Sequence, residues 1–425
     1  MTGLEPGSLG GRDVAVVGLG YIGLPTAAVL ASHGAGVVGV DVDPEVVDAV
    51  NRGEAPFVEP GLAVAVAGAV ARGSLHAQRE VPTADVYVVA VPTPLGADGG
   101  ADLAHVDAAA DAIAPRLRRG ALVVLESTSP PGTTQHLADR LVAARPDLRP
   151  DASGPGVHVA HCPERVLPGR AMVEIVENDR VIGGVTPDCA RLARDLYVTF
   201  CRGSILLTDA LTAELSKLVE NAYRDVNIAF ANELSRVADA LGADVWRLIE
   251  LANHHPRVDI LRPGPGVGGH CIAVDPWFLV GAAPEHTRLI STAREVNDSQ
   301  PGVVVDRVLA AVRSLAAPRA AAPRVAALGL AFKPDIDDLR ESPAVEVVGR
   351  LAALLPRASL AVVEPHVARL PAALAERSNV LLTDVGAAVE GADVVVLLVD
   401  HAVFADVDRD LLRTRTVVDT RGLWR

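Results

Sequence analysis

Cysteine and aromatic residues are both scarce in this chain of 425 residues. The four cysteines are Cys162, Cys189, Cys201 and Cys271. They form no CxxC pair and no repeating spacing, which argues against a disulfide framework and against a structural zinc site. Aromatic residues make up only 3%, so the cores must be built from alanine, valine and leucine. We therefore expect no bound metal and a reducing, cytoplasmic compartment.

The sequence also lacks a basic excess and any long apolar run. Its formal net charge is −14, which makes it a poor candidate for sequence-independent nucleic-acid binding because phosphate backbones require a basic surface. The most apolar run, at 394–399, is far shorter than the roughly 20 residues of a membrane-spanning helix. Residues 1–11 lack the apolar core of a signal peptide. We expect neither a nucleic acid nor a membrane as partner.

Short β-branched runs alternate with amphipathic segments in the first part of the chain. This alternation predicts a parallel sheet with helices on both faces. The runs at 157–160 and 181–183 are predicted to extend that sheet. The strands are predicted at 14–18, 36–40, 86–91 and 122–125, and the helices at 22–32, 44–52, 106–117 and 133–144.

A long helical region follows and leads into a second α/β unit. Apolar residues recur at helical spacing from 209 to 241, with Thr208 or Asp209 as the N-cap, and a second long helix is predicted at 285–315. The segment PRAAAP at 318–323 predicts a linker turn. Further strands are predicted at 325–330, 361–363, 380–382, 394–399 and 416–418. The fold class is therefore α/β, with two Rossmann-like parallel-sheet domains joined by a central all-helical domain with a long spine helix. The expected domains are 1–208, 209–317 and 318–425.

A glycine-rich turn directly follows the first predicted strand. The residues Gly18, Gly20 and Gly23 then open a helix, which is the context of a dinucleotide-binding turn. Asp41 ends the next strand, where an acid can bind ribose hydroxyls, and no arginine follows it directly. These features favour NAD over NADP. The corresponding turn at 329–331 lacks the third glycine, so the C-terminal domain is expected to hold a different ligand.

Hydroxyl side chains follow two other apolar strands. Thr93 lies in PTP at 92–94, and Thr128 lies in EST at 126–128. Ligands of open α/β sheets bind outside the carboxyl ends of the strands. Both threonines are therefore candidates for contact with the nicotinamide end of NAD. The alternative, equally open from the sequence, is that they only form turns and cap helices.

A second glycine-rich segment ends in Cys271. Four glycines between 264 and 269 indicate that this backbone approaches another group closely. A helix starting near Cys271 would favour its thiolate, and Asp275 would share a face of that helix. On the long helix, Lys217, Asn221 and Arg224 form one polar stripe. The alternatives are an inert buried cysteine and a solvent-facing stripe.

Eight motifs make this chain resemble the UDP-glucose/GDP-mannose dehydrogenase family over nearly its whole length. The resemblance implies a homodimer that binds NAD in the first domain and UDP mainly in the third. The motifs are GLGYIGLP (18–25), ESTSPPGT (126–133), HCPERVLPGR (161–170), NDRVIGG (178–184), ELSKLVENAYRDVNIAFANELS (214–235), HPRV (255–258), PGPGVGGHCIAVDPWF (263–278) and AFKPDIDDLRESPA (331–344).

The resemblance also implies a role for each matched residue. Cys271 matches the nucleophile and Lys217 the catalytic lysine. Asn221 matches the residue that stabilises the oxyanion with Lys217, and Asp275 the acid that works with Lys217 and a water. The remaining catalytic positions, where water is handled, are Glu164 and Thr128. The cofactor positions are Gly18, Gly20, Tyr21, Ile22, Gly23, Asp41, Thr93, Thr128 and Arg340. The substrate positions are Arg165, Val166, Lys217, Asn221, Arg224, His255, Arg257, Gly268 and Lys333, with Arg257 reaching the neighbouring active site of a dimer.

The implied reaction is an NAD-dependent, four-electron oxidation of a UDP-sugar C6 alcohol to the carboxylate. A cysteine is needed because an aldehyde has no hydride to give until a nucleophile adds to it. The VLPGR and AVDPWF segments favour UDP-N-acetyl-D-mannosamine, whose product supplies cell-surface polysaccharide synthesis. The alternative sugar is UDP-N-acetyl-D-glucosamine. A two-electron hydroxyacid-type dehydrogenase would share the nucleotide-binding turn, the helical core and a catalytic lysine, but it would need neither Cys271 nor the third domain. A non-enzymatic NAD-sensing module would bind NAD but gives no reason for Lys217, Asn221, Cys271 and Asp275 together.

Overall fold

The computed structural model describes residues 11–96, 100–149, 156–269, 271–315 and 322–425. Residues 318–321 of the predicted linker and His270 of the second glycine-rich segment lie outside these ranges. The chain divides into two compact units. The first comprises Met1–Glu220 and Trp277–Ala283, and the second comprises Asn221–Pro276 and Pro284–Arg425.

The first unit contains an eight-stranded sheet. Its strands are β1 (Asp13–Val17), β2 (Gly36–Val40), β3 (Leu75–Gln78), β4 (Val86–Val89), β5 (Leu122–Leu125), β6 (His158–His161), β7 (Arg180–Gly184) and β8 (Ile205–Asp209), in the order β3-β2-β1-β4-β5-β6-β7-β8. The predicted parallel sheet is confirmed, with one difference: β7 pairs antiparallel with β6. An antiparallel neighbour needs no crossover that returns the chain to the same end of the sheet.

Helices cover both faces of this sheet. Side chains alternate between two cores, since Val14 and Val16 of β1 belong to one and Ala15 and Val17 to the other. This burial on both faces explains the continuous apolar runs of the central strands. The helices are α1 (Gly23–Ser32), α2 (Pro44–Asn51), α3 (Leu62–Ala71), α4 (Ala104–Ile113), α5 (Thr133–Ala144), α6 (Ala171–Glu177) and α7 (Pro187–Tyr197).

The predicted spine helix is present as α8 (Ala210–Leu241). Its first turn is capped by Asp209, which accepts a hydrogen bond from the backbone N–H of Thr212 at 2.9 Å. Three more helices follow, α9 (Val245–Ala252), α10 (Asp275–Ala282) and α11 (Arg288–Ser314). In the second unit, a buried ion pair joins α8 to α11, with Arg294 Nη1 lying 2.6 Å from Asp225 Oδ1.

The second unit also contains a parallel five-stranded sheet in the order β11-β10-β9-β12-β13. Its strands are β9 (Arg324–Leu328), β10 (Ser359–Val363), β11 (Val380–Leu382), β12 (Val394–Leu397) and β13 (Thr416–Asp419), and its helices are α12 (Pro343–Leu354), α13 (Ala372–Ala375), α14 (Val385–Gly391) and α15 (Arg409–Arg413). All five predicted strands are confirmed. No helix in the described ranges is long and apolar enough to cross a membrane.

Candidate active site

The first glycine-rich turn connects β1 to α1, and its three glycines face different surroundings. A Cβ added at Gly18, which has φ +94°, would overlap the carbonyl oxygen of Ala90, and one at Gly23 would overlap the carbonyl oxygen of Gly18. A Cβ at Gly20 would meet no atom within 4 Å. Gly18 and Gly23 are therefore needed for the turn and its packing, while Gly20 leaves open space in front of the helix. This geometry suits a pyrophosphate approaching the helix N-terminus.

Asp41 follows β2 and faces the same turn. Its Oδ2 accepts a hydrogen bond from the backbone N–H of Leu19 at 2.8 Å, and its Oδ1 accepts one from Asp43 at 3.0 Å. The carboxylate is thus fixed beside the turn, where ribose hydroxyls can bind. In the turn itself, Ile22 precedes α1 and the Tyr21 ring stacks on Phe57 with centroids 4.3 Å apart.

The loops after β4 and β5 are tied together by their hydroxyl groups. Ser127 Oγ donates to the carbonyl oxygen of Val91 at 2.6 Å, and Thr93 Oγ1 donates to that of Thr128 at 2.5 Å. The Ser127 and Thr93 hydroxyls therefore join two separate loops in this structure. Contact of Thr93 and Thr128 with the cofactor stays a prediction.

Glu164 and Arg165 follow β6 in the first unit and have different partners. Glu164 is buried, and its Oε1 accepts a hydrogen bond from the backbone N–H of Arg165 at 2.6 Å. Arg165 forms an ion pair with Glu220, with Nη2 and Oε1 2.6 Å apart. The next residue, Val166, packs against one of the two cores. A substrate contact by the Arg165 side chain would therefore have to compete with Glu220.

A buried charged cluster around Arg180 was not predicted from the sequence. Arg180 Nη1 lies 3.7 Å from Glu164 Oε2, and the guanidinium lies over the Tyr197 ring. Glu126 accepts hydrogen bonds from Tyr197 at 2.6 Å and from Thr26 at 3.1 Å. Burial raises the pKa of Glu126 to about 7; the nearby Glu164 adds to this rise and Arg180 opposes it. Charged residues inside the motifs ESTSPPGT and NDRVIGG were the available sequence signal.

In the second unit, two of the predicted catalytic residues are in contact. Asn221 Nδ2 on α8 donates to Asp275 Oδ2 at 2.5 Å, and Asp275 is buried. Cys271 is exposed, and its carbonyl oxygen accepts the backbone N–H of Asp275 at 2.8 Å. Lys217 lies four residues before Asn221 on α8, at the end of the first unit, and is half-buried. The stripe on α8 is therefore at least partly engaged with other side chains rather than wholly facing solvent.

The expected helix start near Cys271 is wrong, because α10 begins at Asp275. Cys271 lies in the preceding turn. The physical reason is Pro276, which has no N–H to donate to the carbonyl oxygen of Ile272 and which favours the first turn of a helix. Cys271 therefore lies one turn before the helix rather than in its first turn.

Lys333 of the second unit interacts electrostatically with both Cys271 and Arg224. The pKa of the half-buried Lys333 is lowered, first by burial and also by the positive charge of Arg224, while Cys271 has the opposite effect.

The remaining predicted residues are placed as follows. His255 and Arg257 are exposed, with the backbone N–H of Arg257 donating to His255 Nδ1 at 3.3 Å, and Arg340 is paired with Asp338.

Three domains of one family match this chain in order. Residues 12–201 match the NAD binding domain of the UDP-glucose/GDP-mannose dehydrogenase family. Residues 211–299 match its central domain, and residues 326–425 match its UDP binding domain. The chain belongs to the UDP-glucose/GDP-mannose dehydrogenase family. It is thus an NAD-dependent UDP-sugar dehydrogenase, and the expected family and cofactor are confirmed.

Named relatives of this dehydrogenase cover almost its full length. It is 56% identical to the NDP-N-acetyl-D-galactosaminuronic acid dehydrogenase of Ralstonia nicotianae, over 97% of this chain and 96% of the relative. It is 53% identical to the UDP-N-acetyl-D-mannosamine dehydrogenase of Salmonella typhi, over 97% and 99%. The solved structure of UDP-D-ManNAc dehydrogenase from Pyrococcus horikoshii is similar with a TM-score of 0.86 and 38% identity, over 97% and 96%.

The turn at 329–331 of the dehydrogenase, which follows β9, is closed by side chains of the protein itself. Glu364 follows β10 as Asp41 follows β2, but Glu364 Oε2 accepts the backbone N–H groups of Leu330 and Ala331 at 2.7 and 2.9 Å and pairs with His401 Nε2 at 3.0 Å. The other ring nitrogen of His401 accepts the N–H of Asp335 at 2.9 Å. The acid therefore has partners in the protein where a dinucleotide ribose would bind. Since both ring nitrogens are engaged, His401 has no lone pair for a metal ion.

Proposed function

We propose that this dehydrogenase oxidises the C6 alcohol of UDP-N-acetyl-D-mannosamine to the carboxylate in two steps. The observation that carries the proposal is the group formed by Cys271, Asn221 and Asp275 in one unit. The Asn221 amide donates to the Asp275 carboxylate, and the carbonyl oxygen of the exposed Cys271 accepts the backbone N–H of Asp275. A two-electron dehydrogenase has no use for such a thiol. The 53% identity to a protein named for this sugar supports the choice of substrate.

The proposed domains are 1–208 for NAD, 209–317 for catalysis and dimerisation, and 318–425 for UDP. The turn of Gly18, Gly20 and Gly23 would hold the pyrophosphate of NAD and Asp41 its ribose, with Arg340 also close to the cofactor. When bound, NAD supplies the hydride acceptor for both oxidations. A reducing, cytoplasmic compartment agrees with the absence of disulfides among the four cysteines.

Each residue has a proposed task in the reaction. Lys217, Asn221 and Asp275 together serve in proton transfer from the sugar C6 hydroxyl and in stabilising the negative charge on its oxygen. Cys271 Sγ bonds to C6 of the aldehyde, and the hydrogen already on that carbon can then leave as hydride in the second oxidation. Water then adds to the thioester, its proton going to Glu164 or to a neighbouring base, and the C–S electron pair returns to sulfur. The proposed substrate contacts are Arg165, Val166, Arg224, His255, Arg257, Gly268 and Lys333.

A homodimer is the proposed assembly, with α8 at its interface. Tyr223, Phe230 and Val237 recur every seven residues on this helix and are exposed by 71%, 55% and 47%. A repeating apolar stripe of this size is typical of a helix that packs against a partner. The exposed Arg257 would then reach the active site of the second copy. Sedimentation should give a dimer mass, and Tyr223→Glu with Phe230→Glu should give a monomer.

A second candidate substrate is UDP-N-acetyl-D-galactosamine. The observation favouring it is the 56% identity to a protein named as an NDP-N-acetyl-D-galactosaminuronic acid dehydrogenase. The two amino sugars differ at C2 and C4, so both carry the same C6 alcohol and diphosphate. The catalytic residues would therefore serve either sugar, and the contacts to the ring hydroxyls decide between them.

The decisive experiment measures kcat/KM for four substrates: the UDP derivatives of N-acetylmannosamine, N-acetylgalactosamine, N-acetylglucosamine and glucose. We expect UDP-N-acetylmannosamine to exceed each of the others by at least about tenfold, a difference of about 1.4 kcal/mol in transition-state binding. A preference for another sugar would show that the proposed substrate is wrong, but it would not contradict the proposed roles of the residues. Inactivity with all four would contradict the proposed reaction.

A further inference from the structure

Gly268 and Gly269 of the second glycine-rich segment lie directly against one loop of the UDP binding domain. A Cβ added at Gly269 would lie 2.9 Å from Cε2 of Phe332, and one at Gly268 would lie 2.5 Å from the carbonyl oxygen of Glu341 and 2.9 Å from Cβ of Phe332. These separations are shorter than any normal carbon contact. The glycines are thus required because the loop of Phe332 and Glu341 occupies the space where side chains would be.

This loop, residues 329–342, is held in place along its length. Ser342 Oγ donates to the carbonyl oxygen of Leu330 at 2.6 Å, and the backbone N–H of Phe332 donates to that of Asp338 at 3.2 Å. Glu341 has φ +49°, a left-handed conformation that a non-glycine residue keeps only when its surroundings fix it. The conformation of the loop is therefore fixed, and Gly268 and Gly269 pack against it.

We propose that Phe332 is a positioning residue for Cys271, its ring holding Gly269 and with it the turn that carries the thiol. This inference rests on the proposed role of Cys271 as nucleophile. Phe332 is only half-buried, so its ring is not a main element of the domain core. The next residue, Lys333, interacts electrostatically with Cys271, so the same loop provides a positive charge near the thiol.

The step that depends on this position is the capture of the aldehyde. The C6–S bond forms, the carbonyl electron pair moves to oxygen, and the oxygen takes a proton. A displacement of about 1 Å can slow such a step about 100-fold. If the C6–S bond forms more slowly, the aldehyde has time to dissociate from the enzyme. The first hydride transfer does not involve the sulfur. Loss of the ring should therefore lower the yield of the second NADH rather than the first.

The test compares Phe332→Ala, Phe332→Leu and the control Leu381→Ala, which truncates an exposed side chain on β11. NADH formed per UDP-sugar consumed is measured with a hydroxylamine trap for released aldehyde. We expect a ratio near two for the wild type and the control, near one for Phe332→Ala, and an intermediate ratio for Phe332→Leu, whose side chain retains part of the apolar volume of the ring. A ratio near two in folded Phe332→Ala would overturn the proposal. If Phe332→Ala does not fold, Phe332→Leu decides, and a ratio near two would overturn the proposal equally.

A second measurement does not depend on turnover. Alkylation of Cys271 by iodoacetamide is followed by peptide mass spectrometry at neutral pH; we expect it to slow about threefold or more in Phe332→Ala as the thiol moves away from Lys333. The substitution Gly269→Ala should slow the alkylation of Cys271 less in the Phe332→Ala variant than in the wild type. The reason is that the Phe332 ring, which the added methyl group would contact, is absent from that variant. Equal rates in wild type and Phe332→Ala would overturn the positioning role. A wild-type NADH ratio near one would instead count against the proposed function, while this alkylation comparison still decides for or against Phe332.

Discussion

The two glycines Gly20 and Gly23 of the first turn offer a matched pair of substitutions with opposite expected effects. Gly20→Ala places a methyl group where no atom lies within 4 Å. The folded chain therefore tolerates it, and we expect the free energy of unfolding to change by no more than about 0.5 kcal/mol. Gly23→Ala forces its methyl group into the carbonyl oxygen of Gly18, and overpacking of this kind costs about 1–3 kcal/mol.

NAD binding should respond in the opposite order to stability. The Gly20 methyl group occupies the space that a pyrophosphate needs in order to reach the N–H groups of α1. Losing one hydrogen bond to a charged oxygen costs about 1.5–3 kcal/mol, which raises the Kd for NAD about 10- to 150-fold. Isothermal titration with NAD and urea unfolding of both variants are the assays. A folded Gly20→Ala variant that binds NAD within about threefold of the wild type would refute this account of the turn.

Two further expectations concern buried charge. Burial raises the pKa of Glu126 from 4.5 to about 7, so the folded state holds this proton more tightly than the unfolded chain does. The proton therefore contributes roughly 3 kcal/mol to the free energy of unfolding below pH 4.5, and this contribution is lost as the pH rises to about 7. Urea unfolding between pH 5 and 8 should show a flatter decline for Glu126→Gln, and an equal decline in both proteins would contradict this. Arg294→Met leaves the buried carboxylate of Asp225 without its cation and should cost about 3–5 kcal/mol. The exposed Arg313→Met, on the same helix, should change stability by about 0.5 kcal/mol at most.

The strands that the sequence reveals are those buried on both faces. In β4 and β5 all four residues are buried, so each appears as an uninterrupted apolar run. The edge strands β3 and β8 were missed because half or more of their residues are not buried, which leaves no run to detect. The helix α3 was missed for a related reason: its alanines and valines form a nearly uniform apolar segment without clear helical periodicity.

The residues of the candidate site could be found from local motifs, but their partners could not. The motif around Asn221 contains nothing that indicates Asp275 as its hydrogen-bond partner, since 54 residues separate them. The pairing of Arg165 with Glu220 and the contact of Phe332 with Gly269 likewise join distant segments. The helix start at Asp275 could have been predicted, because Pro276 is visible in the sequence and favours the first turn of a helix.

The most direct test of the central claim is the number of NADH molecules formed per UDP-N-acetyl-D-mannosamine consumed, in the wild type and in Cys271→Ser. We expect a ratio near two for the wild type, because both oxidations occur on one sugar. Cys271→Ser should form no second NADH, since the aldehyde has no thiol to capture it, and its steady-state NADH production should fall well below that of the wild type because the aldehyde must dissociate before the next turnover. A wild-type ratio near one, or normal steady-state NADH production by Cys271→Ser, would contradict the role assigned to this cysteine.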